Sequence, residues 1–326
     1  MIKMKIQIEK DDVLKRLDTF LSDYMNYPRT KVAAAINEGL IKIGGKIQKP
    51  SYRIKLDDIV EFDENILNDF INPSQELKPW EFELDIKYED EYLIVINKPK
   101  EVLTHPTAYE RLKTISNALI YHCGINNLSD LSGSYRLGIV HRLDKNTSGL
   151  MIAAKNNEVH EKLASQIKSK ELKRKYKAIA LGEFEQKEGV IDKALVHYLK
   201  DDVKMTIAPQ GKGLEAITNY KVLEEFKGAA LIELELKTGR THQIRAHLAS
   251  INHPVFGDSL YGAKSFMRNE FYNLKTIEQL LQSYYIEFIH PITKNSMHFE
   301  LNENEFSKDF IKVLNFLRRT NKNGDD

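Results

Sequence analysis

The chain has 326 residues, 42% of them apolar, with 48 Lys and Arg against 47 Asp and Glu and a single cysteine. That supports an ordinary buried core in two domains, or in one large domain with a small appendage. It excludes an intramolecular disulfide and, because no stretch nears the ~18–20 consecutive apolar residues required, a helical membrane span. The opening Met1-Ile2-Lys3-Met4-Lys5-Ile6 has no apolar signal core, so a reducing, cytoplasmic setting is expected, with Cys123 an inert small residue. The net charge of +1 gives no global sign of a polyanion partner, but the distribution is uneven. Residues 12–60 hold nine Lys and Arg against six Asp and Glu, and residues 165–177 hold six basic residues against one acid. Locally basic faces on a neutral chain suit a polyanion held at particular surfaces, although a charge run more often marks a solvated helix face.

Along the chain, Leu14, Leu17, Phe20, Leu21 and Tyr24 recur at helical spacing. Pro28 opens a second helix with Val32, Ala35 and Ile36 on its apolar side, and Gly39 fits the position just past its end. Ile41 and Ile43 alternate with polar residues into Gly44-Gly45, a hairpin signal, and a last short strand lies within residues 52–62. The order of two helices and a small hairpin, with Arg16-Leu17-Asp18, Arg29, Ile36, Gly39 and Lys42-Ile43-Gly44-Gly45-Lys46, resembles the S4 RNA-binding domain over about fifty residues. The resemblance implies that Arg16, Arg29, Lys31, Lys42, Lys46 and Arg53 face RNA phosphates, contacts that position a protein but carry little sequence information. The small domain is placed at residues 12–62 and a linker at the polar, aperiodic residues 63–79. A catalytic domain follows at 80–317, and a polar, frayed tail at 318–326.

Beyond the linker, strand-like and helix-like stretches alternate. Phe82, Leu84, Ile86 and Tyr88 alternate, and residues 92–96 read as a buried strand. Val159, Leu163 and Ile167 mark an amphipathic helix over 158–172, and Ile232, Leu234 and Leu236 a half-exposed strand. Hairpin-like strands with interspersed helices predict an α+β fold with a mixed, largely antiparallel central sheet flanked by helices.

Three clusters carry chemistry. In the first, apolar residues 137–140 lead into His141-Arg142-Leu143-Asp144-Lys145 and then into apolar residues 150–154. A carboxylate flanked there by Arg142 and Lys145 reads equally well as a salt-bridged structural turn. The second is Lys173-Arg174-Lys175-Tyr176, opening an alternating strand in which a tyrosine is ordinarily a packing residue with a wet hydroxyl. The third is Gly239-Arg240-Thr241-His242-Gln243-Ile244-Arg245, where Thr241 can cap a helix. An arginine in a helix's first turn opposes the macrodipole and wants an anion beside it. Thr241, His242 and Gln243 read as a hydrogen-bond network at the helix start.

Together the clusters resemble the RluA-type family of pseudouridine synthases. His141-Arg142-Leu143-Asp144 with Thr147-Ser148-Gly149 matches its signature segment. Asn97-Lys98-Pro99 with His105-Pro106 matches an upstream block, and Lys175-Tyr176-Lys177-Ala178 its central strand. Residues 238–245 with Gly257-Asp258 match a third block. Four blocks in order over about 200 residues are far more specific than any one of them. Where the family usually has Leu-His-Ala before a late strand, this chain has Leu281-Gln282-Ser283, and Gln282 is given no role.

The resemblance implies the pseudouridine synthase fold, Asp144 as the catalytic carboxylate, Tyr176 against the target base, and Arg245 paired with Asp144. It also implies that Arg142 holds the rearranged RNA, with Lys173 and Arg174 in a basic patch touching its backbone. The expected substrate is structured RNA, ribosomal and from the large subunit, with transfer RNA the alternative. Breaking a C–N bond and making a C–C bond moves no hydride or phosphoryl group, so no cofactor is expected. The chain accordingly lacks Gly-x-Gly-x-x-Gly, P-loop and His-Glu-x-x-His patterns. No metal is expected, since His242 and His247 have no matching carboxylate or cysteines. A monomer is expected. A glycoside hydrolase would need two carboxylates about 5–9.5 Å apart, and the clusters offer only one. A non-catalytic RNA-binding assembly factor would bind RNA without forming product.

Overall fold

The computed structural model describes residues 3–71, 77–107, 110–198, 201–262, 271, 274 and 278–322. The chain falls into two compact units, the first built on residues up to Leu77 and the second on residues from Lys78 onward, short segments near 106 and 200 excepted.

The first unit runs β1 (Lys3–Gln7), α1 (Leu17–Met25), α2 (Arg29–Asn37), β2 (Ile41–Ile43), β3 (Ile59–Asp63) and α3 (Glu64–Ile71). Its antiparallel sheet has the order β1-β3-β2. The inner face of α1 is Leu17, Phe20 and Leu21. Leu14 and Tyr24, expected on that stripe, are 66% and 57% exposed, because Leu14 adopts φ 69° ahead of the helix and Tyr24 turns outward. Pro28 caps α2, where its missing N–H costs nothing, and Val32, Ala35 and Ile36 are buried. Two expectations need correction. The small domain does not begin at residue 12, since β1 pairs along β3 and buries Ile6. Residues 64–71 of the expected linker are helical: Leu67 and Ile71, four apart, join the unit's core. The linker's residues 72–76 lie outside the described residues.

The second unit begins with β4 (Asp85–Glu89), β5 (Leu93–Lys98), α4 (Ile115–Cys123), β6 (Ser148–Ala154) and α5 (Asn157–Lys168). There follow β7 (Lys173–Leu181), β8 (Glu188–Asp192), β9 (Leu195–Tyr198), β10 (Asp201–Ile207), β11 (Ile217–Phe226) and β12 (Ala229–Leu236). The last elements are α6 (Gln243–Ser250), β13 (Leu281–Ile289), β14 (Ser296–Glu300) and α7 (Lys308–Lys322). The main sheet has the order β4-β5-β6-β13-β7-β12-β11-β8, with β14 paired to β13, and β9 and β10 form a separate two-stranded sheet. Every pairing in the main sheet is antiparallel except β6 with β13. The fold is therefore the expected α+β type.

All seven residues of β6 are buried, as its apolar run predicts. Val159 and Leu163 of α5 and Phe310, Val313, Leu314 and Leu317 of α7 pack with that strand in one core. The tail expected from residue 318 is instead the end of α7, where Arg318 donates to Glu224 at 2.9 Å and to Glu303 at 2.9 Å. Residues 323–326 lie outside the described residues. At the β6–β13 seam Gly149 has φ +121°, and a Cβ there would sit 2.0 Å from the Ser283 carbonyl oxygen, so only glycine lets these backbones meet. Gln282, beside the seam, accepts a 2.6 Å hydrogen bond from the Ser148 hydroxyl. Among the described residues no helix is long and apolar enough to cross a membrane.

Candidate active site

The sheet's centre brings the three clusters together. The loop before β6 carries Asp144, β7 carries Arg174 and Tyr176, and the chain leaving β12 turns at Gly239 into α6 with Arg245. Side chains from all three line one groove of about 330 Å³, which includes Asp144, Tyr176, Arg245, Arg142, Arg240 and His242.

The Asp144 loop is pinned from below. The Thr104 hydroxyl donates to the Leu143 carbonyl at 2.8 Å and accepts from the Leu143 N–H at 3.2 Å. Lys98, fully buried, donates to the carbonyls of Pro99, Val102 and Lys145 at 2.8, 2.7 and 3.0 Å. Burial pushes the Lys98 ammonium down to about 7, while the charge of Asp144 pulls the other way. The His141 ring accepts the Ile152 N–H at 3.1 Å, fastening the loop's start to β6. The upstream block matched in sequence thus serves as the floor beneath the acidic loop.

Arg245 Nη1 donates to Asp144 Oδ2 at 3.1 Å. Its Nε and Nη2 donate to Asp258 Oδ2 and Oδ1 at 2.6 and 3.0 Å, a two-pronged grip. Asp258 is fully buried and also accepts the N–H groups of Leu260 and Tyr261. Burial works to lower the Arg245 pKa, but its bonds and charges with Asp258, and then the charge of Asp144, outweigh this and raise it. The Tyr261 ring faces the guanidinium at 5.1 Å, and His242 Nε2 stands 3.8 Å from Asp144 Oδ2. Burial lowers the His242 pKa, with Asp144 opposing. Asp144 keeps 18% of its side chain exposed, and no hydrogen bond to its Oδ1 occurs among the described residues.

Tyr176 is 4% exposed on the groove wall. Burial raises its pKa, against the charge of Arg174 and a hydrogen bond with Ser283. Arg142 lies exposed at the groove. Lys173 points away and pairs with Glu287 at 2.8 Å, whereas Arg174, expected in the same surface patch, is turned inward and 6% exposed. The reason is strand alternation: residues 174 and 176 share the inner face and 173 and 175 the outer. Among the described residues, five arginines (Arg136, Arg142, Arg174, Arg240, Arg245) and one carboxylate line the groove. Asp144 is thus the lone acid of the groove among the described residues, where a glycoside hydrolase would need two.

Thr241 does not cap α6. The N-cap position falls to His242, at φ 53°, without a side-chain cap bond. Gln243 organises the helix start instead, accepting from the Thr238 hydroxyl at 2.8 Å and the Arg240 N–H at 3.0 Å and donating to the Ile217 carbonyl at 3.0 Å. His247 turns to Thr218 and the Lys193 carbonyl, so it shares no ligand position with His242. Among the described residues one grouping, Glu89, His122 and Cys123, has metal-ligand spacing. Lys155 already pairs with Glu89 at 2.6 Å, and burial pushes the Cys123 thiol up to about 11, away from the thiolate a metal takes. Sequence reasoning missed Asp258 as the anchor of Arg245 and missed Arg136, Arg240 and His242 at the groove. The available signal for Asp258 was its place in the third block.

In the first unit the side chains expected to face RNA divide. Arg16 donates to Asp18 at 3.0 and 2.8 Å, and Arg29 joins it at 3.2 Å. Lys31 caps α3 through the Ile71 carbonyl at 2.7 Å, and Arg53 holds the Leu14 carbonyl at 2.8 Å. Lys42 and Lys46 stand exposed on the hairpin.

Residues 92–250 match the family described as RNA pseudouridylate synthase, and residues 15–60 match the S4 domain. Ribosomal large subunit pseudouridine synthase D of Zymomonas mobilis is 35% identical over 94% of this chain and 95% of its own length. An uncharacterized RNA pseudouridine synthase of Bacillus subtilis is 34% identical over 98% and 99%. Among solved structures, human RNA pseudouridylate synthase domain containing 4 superposes with a TM-score of 0.53 at 24% identity, over 72% of this chain and 92% of that one, a likeness of fold.

Proposed function

This chain belongs to the RNA pseudouridine synthase family and carries an S4 domain, and from that premise we propose that Asp144 is the catalytic carboxylate acting on uridines of large-subunit ribosomal RNA. The observation that carries this reading is the groove itself: one partly exposed carboxylate, held by Arg245, among five arginines. A polyanionic substrate fits that excess of positive charge, which the chain's net charge of +1 conceals.

The reaction breaks the N1–C1′ bond of uridine, turns the base, forms a C5–C1′ bond and exchanges the C5 proton for one on N1. Atoms balance without a cofactor. A carboxylate can serve by attacking the sugar, attacking the base or removing a sugar proton, and all three need an ionised oxygen beside the nucleotide. Arg245 holds Oδ2 and leaves Oδ1 to react. Arg245 is itself fixed by Asp258, so the carboxylate is oriented without being enclosed. Tyr176 would lie against the base and Arg142 would hold the displaced RNA, since a stacked uridine must leave the helix to reach the groove. The exposed Lys42 and Lys46 of the S4 domain would add phosphate contacts. The protein is read as a monomer, to be checked by its mass in solution.

Release of tritium from RNA labelled at uracil C5 tests the reading. Wild type should release it from large-subunit ribosomal RNA of cells lacking the protein and not from a transfer-RNA control. Asp144→Asn, which keeps the shape, should release none. A fully active Asp144→Asn would overturn the assignment.

A further inference from the structure

Arg174 is the odd member of the groove. Lys173 and Lys175, its neighbours on β7, face outward to Glu287 at 2.8 Å and Glu233 at 3.4 Å. Arg174 faces inward and, among the described residues, has no carboxylate within ion-pair distance and no acceptor for its side-chain N–H groups. Its Nε is buried and unpartnered. A guanidinium taken out of water without a counter-charge costs stability, so a fold that keeps one has a use for an anion there.

A second unpartnered donor lines the same groove. His141, 9% exposed, uses Nε2 to accept the Ile152 N–H, so its neutral ring carries the proton on Nδ1, and that buried N–H has no acceptor. Burial, and then the charge of Arg174, drive this ring down to about 3, which keeps it a neutral donor. The backbone also makes room: a Cβ on Gly239 would lie 3.0 Å from Arg174 Nη1 and 3.4 Å from Nη2, so any other residue would press on the guanidinium from the groove rim.

We propose that Arg174, with the Nδ1–H of His141, forms a built anion subsite that takes a phosphodiester oxygen of the extruded uridine's own strand, beside the base lying on Tyr176. The missing partner is a charge and not merely an acceptor, which favours phosphate over a uracil carbonyl. The planar fork of an arginine suits two phosphate oxygens, and every uridine in RNA brings a phosphate on each side. The inference rests on the RNA reading above and narrows it to one interaction inside the groove.

Two measurements on the full chain test it, with transcribed large-subunit ribosomal RNA as the probe. Affinity measured across a salt series should fall less steeply for Arg174→Gln, the slope of log K against log[salt] dropping by about 0.7–0.9 once a single phosphate is no longer neutralised. Binding should weaken roughly tenfold. Arg174→Lys should keep the slope and lose only part of the affinity. Arg174→Met should melt no lower than wild type, since it removes an uncompensated buried charge. An unchanged slope with a lowered turnover would place Arg174 on the uracil instead, and an unchanged slope with a melting point several degrees lower would make it structural. Either result overturns the proposal. Tritium release by wild type from the same RNA reports separately on the enzymatic reading.

Discussion

Asp18 in the first unit and Asp144 in the second are both carboxylates beside arginines, yet the structure uses them in opposite ways. Asp18 has 3% of its side chain exposed and is saturated by Arg16, Arg29 and Thr19. The Arg16 hydrogen bond, helped by Arg29 against burial, pulls its carboxyl down to about 2. It fixes the start of α1 to the start of α2. Asp144 is 18% exposed and has one arginine bond, from a guanidinium whose other hydrogen bonds go to Asp258. An ionised carboxylate has about four acceptor positions. What sets the carboxylate proposed for chemistry apart from the structural one is therefore not its flanking arginines but its unused acceptor positions facing a groove.

Paired substitutions put that contrast to measurement. Asp144→Asn should lower turnover by about a thousandfold or more while leaving the melting temperature nearly unchanged. Asp18→Asn should do the reverse, costing about 2 kcal/mol of stability with turnover intact. Equal effects on both quantities at either site would erase the distinction. Asp258→Asn lies between them. It frees the anchored side of Arg245, so turnover should drop about a hundredfold through misplacement of Asp144, and stability should drop as well. Turnover at the wild-type level would show that Arg245 needs no anchor.

Acid separates the two regions next. The folded pKa of His141 is depressed to about 3 from 6.5, so its contribution is whole above pH 6.5 and is lost as pH falls toward 3. At pH 5 the loss is roughly 2 kcal/mol. Asp18, with 3.8 lowered to about 2, begins to fail only below pH 3.8. Melting curves at pH 7, 5 and 3.5 should therefore show the second unit weakening first; no change from pH 7 to 5 would contradict a neutral buried His141. The smallest effect is expected from Arg16→Gln. Its cation is already spent on Asp18, so the salt dependence of RNA binding should shift less than with Lys42→Gln, and a larger shift would make Arg16 a direct RNA ligand.

Period and local chemistry were the legible part of the sequence. β5, β6, β7, β12 and α5 follow from apolar alternation or four-residue spacing, and Arg245 in the first turn of α6 asks for the anions it meets. What was not legible depends on distant chain. Asp258 lies 13 residues beyond Arg245, past the end of α6, and no local period joins them. β1 is short and gains its partner from β3. Ile66, Leu67, Phe70 and Ile71 do stand at helical spacing, but over only about two turns, too short a run to announce a helix beside the polar residues that follow. Lys173-Arg174-Lys175 reads as a charge run until the strand's alternation turns its middle member inward. Arg16 and Arg29 look like phosphate ligands because their shared acid, two residues from one and eleven from the other, is reached only once α1 and α2 pack.

Gly149 sits five residues past Asp144, against Ser283, and Ser283 lies in register with Tyr176 on its opposite edge. Carboxylate, seam and phenol thus form a chain of fixed spacings measured across three neighbouring strands. The reach from acid to ring is set by how near two main chains can come when a hydrogen stands where a methyl would be. The gauge of the gap proposed for the reaction is kept by an atom that neither substrate nor solvent needs to touch.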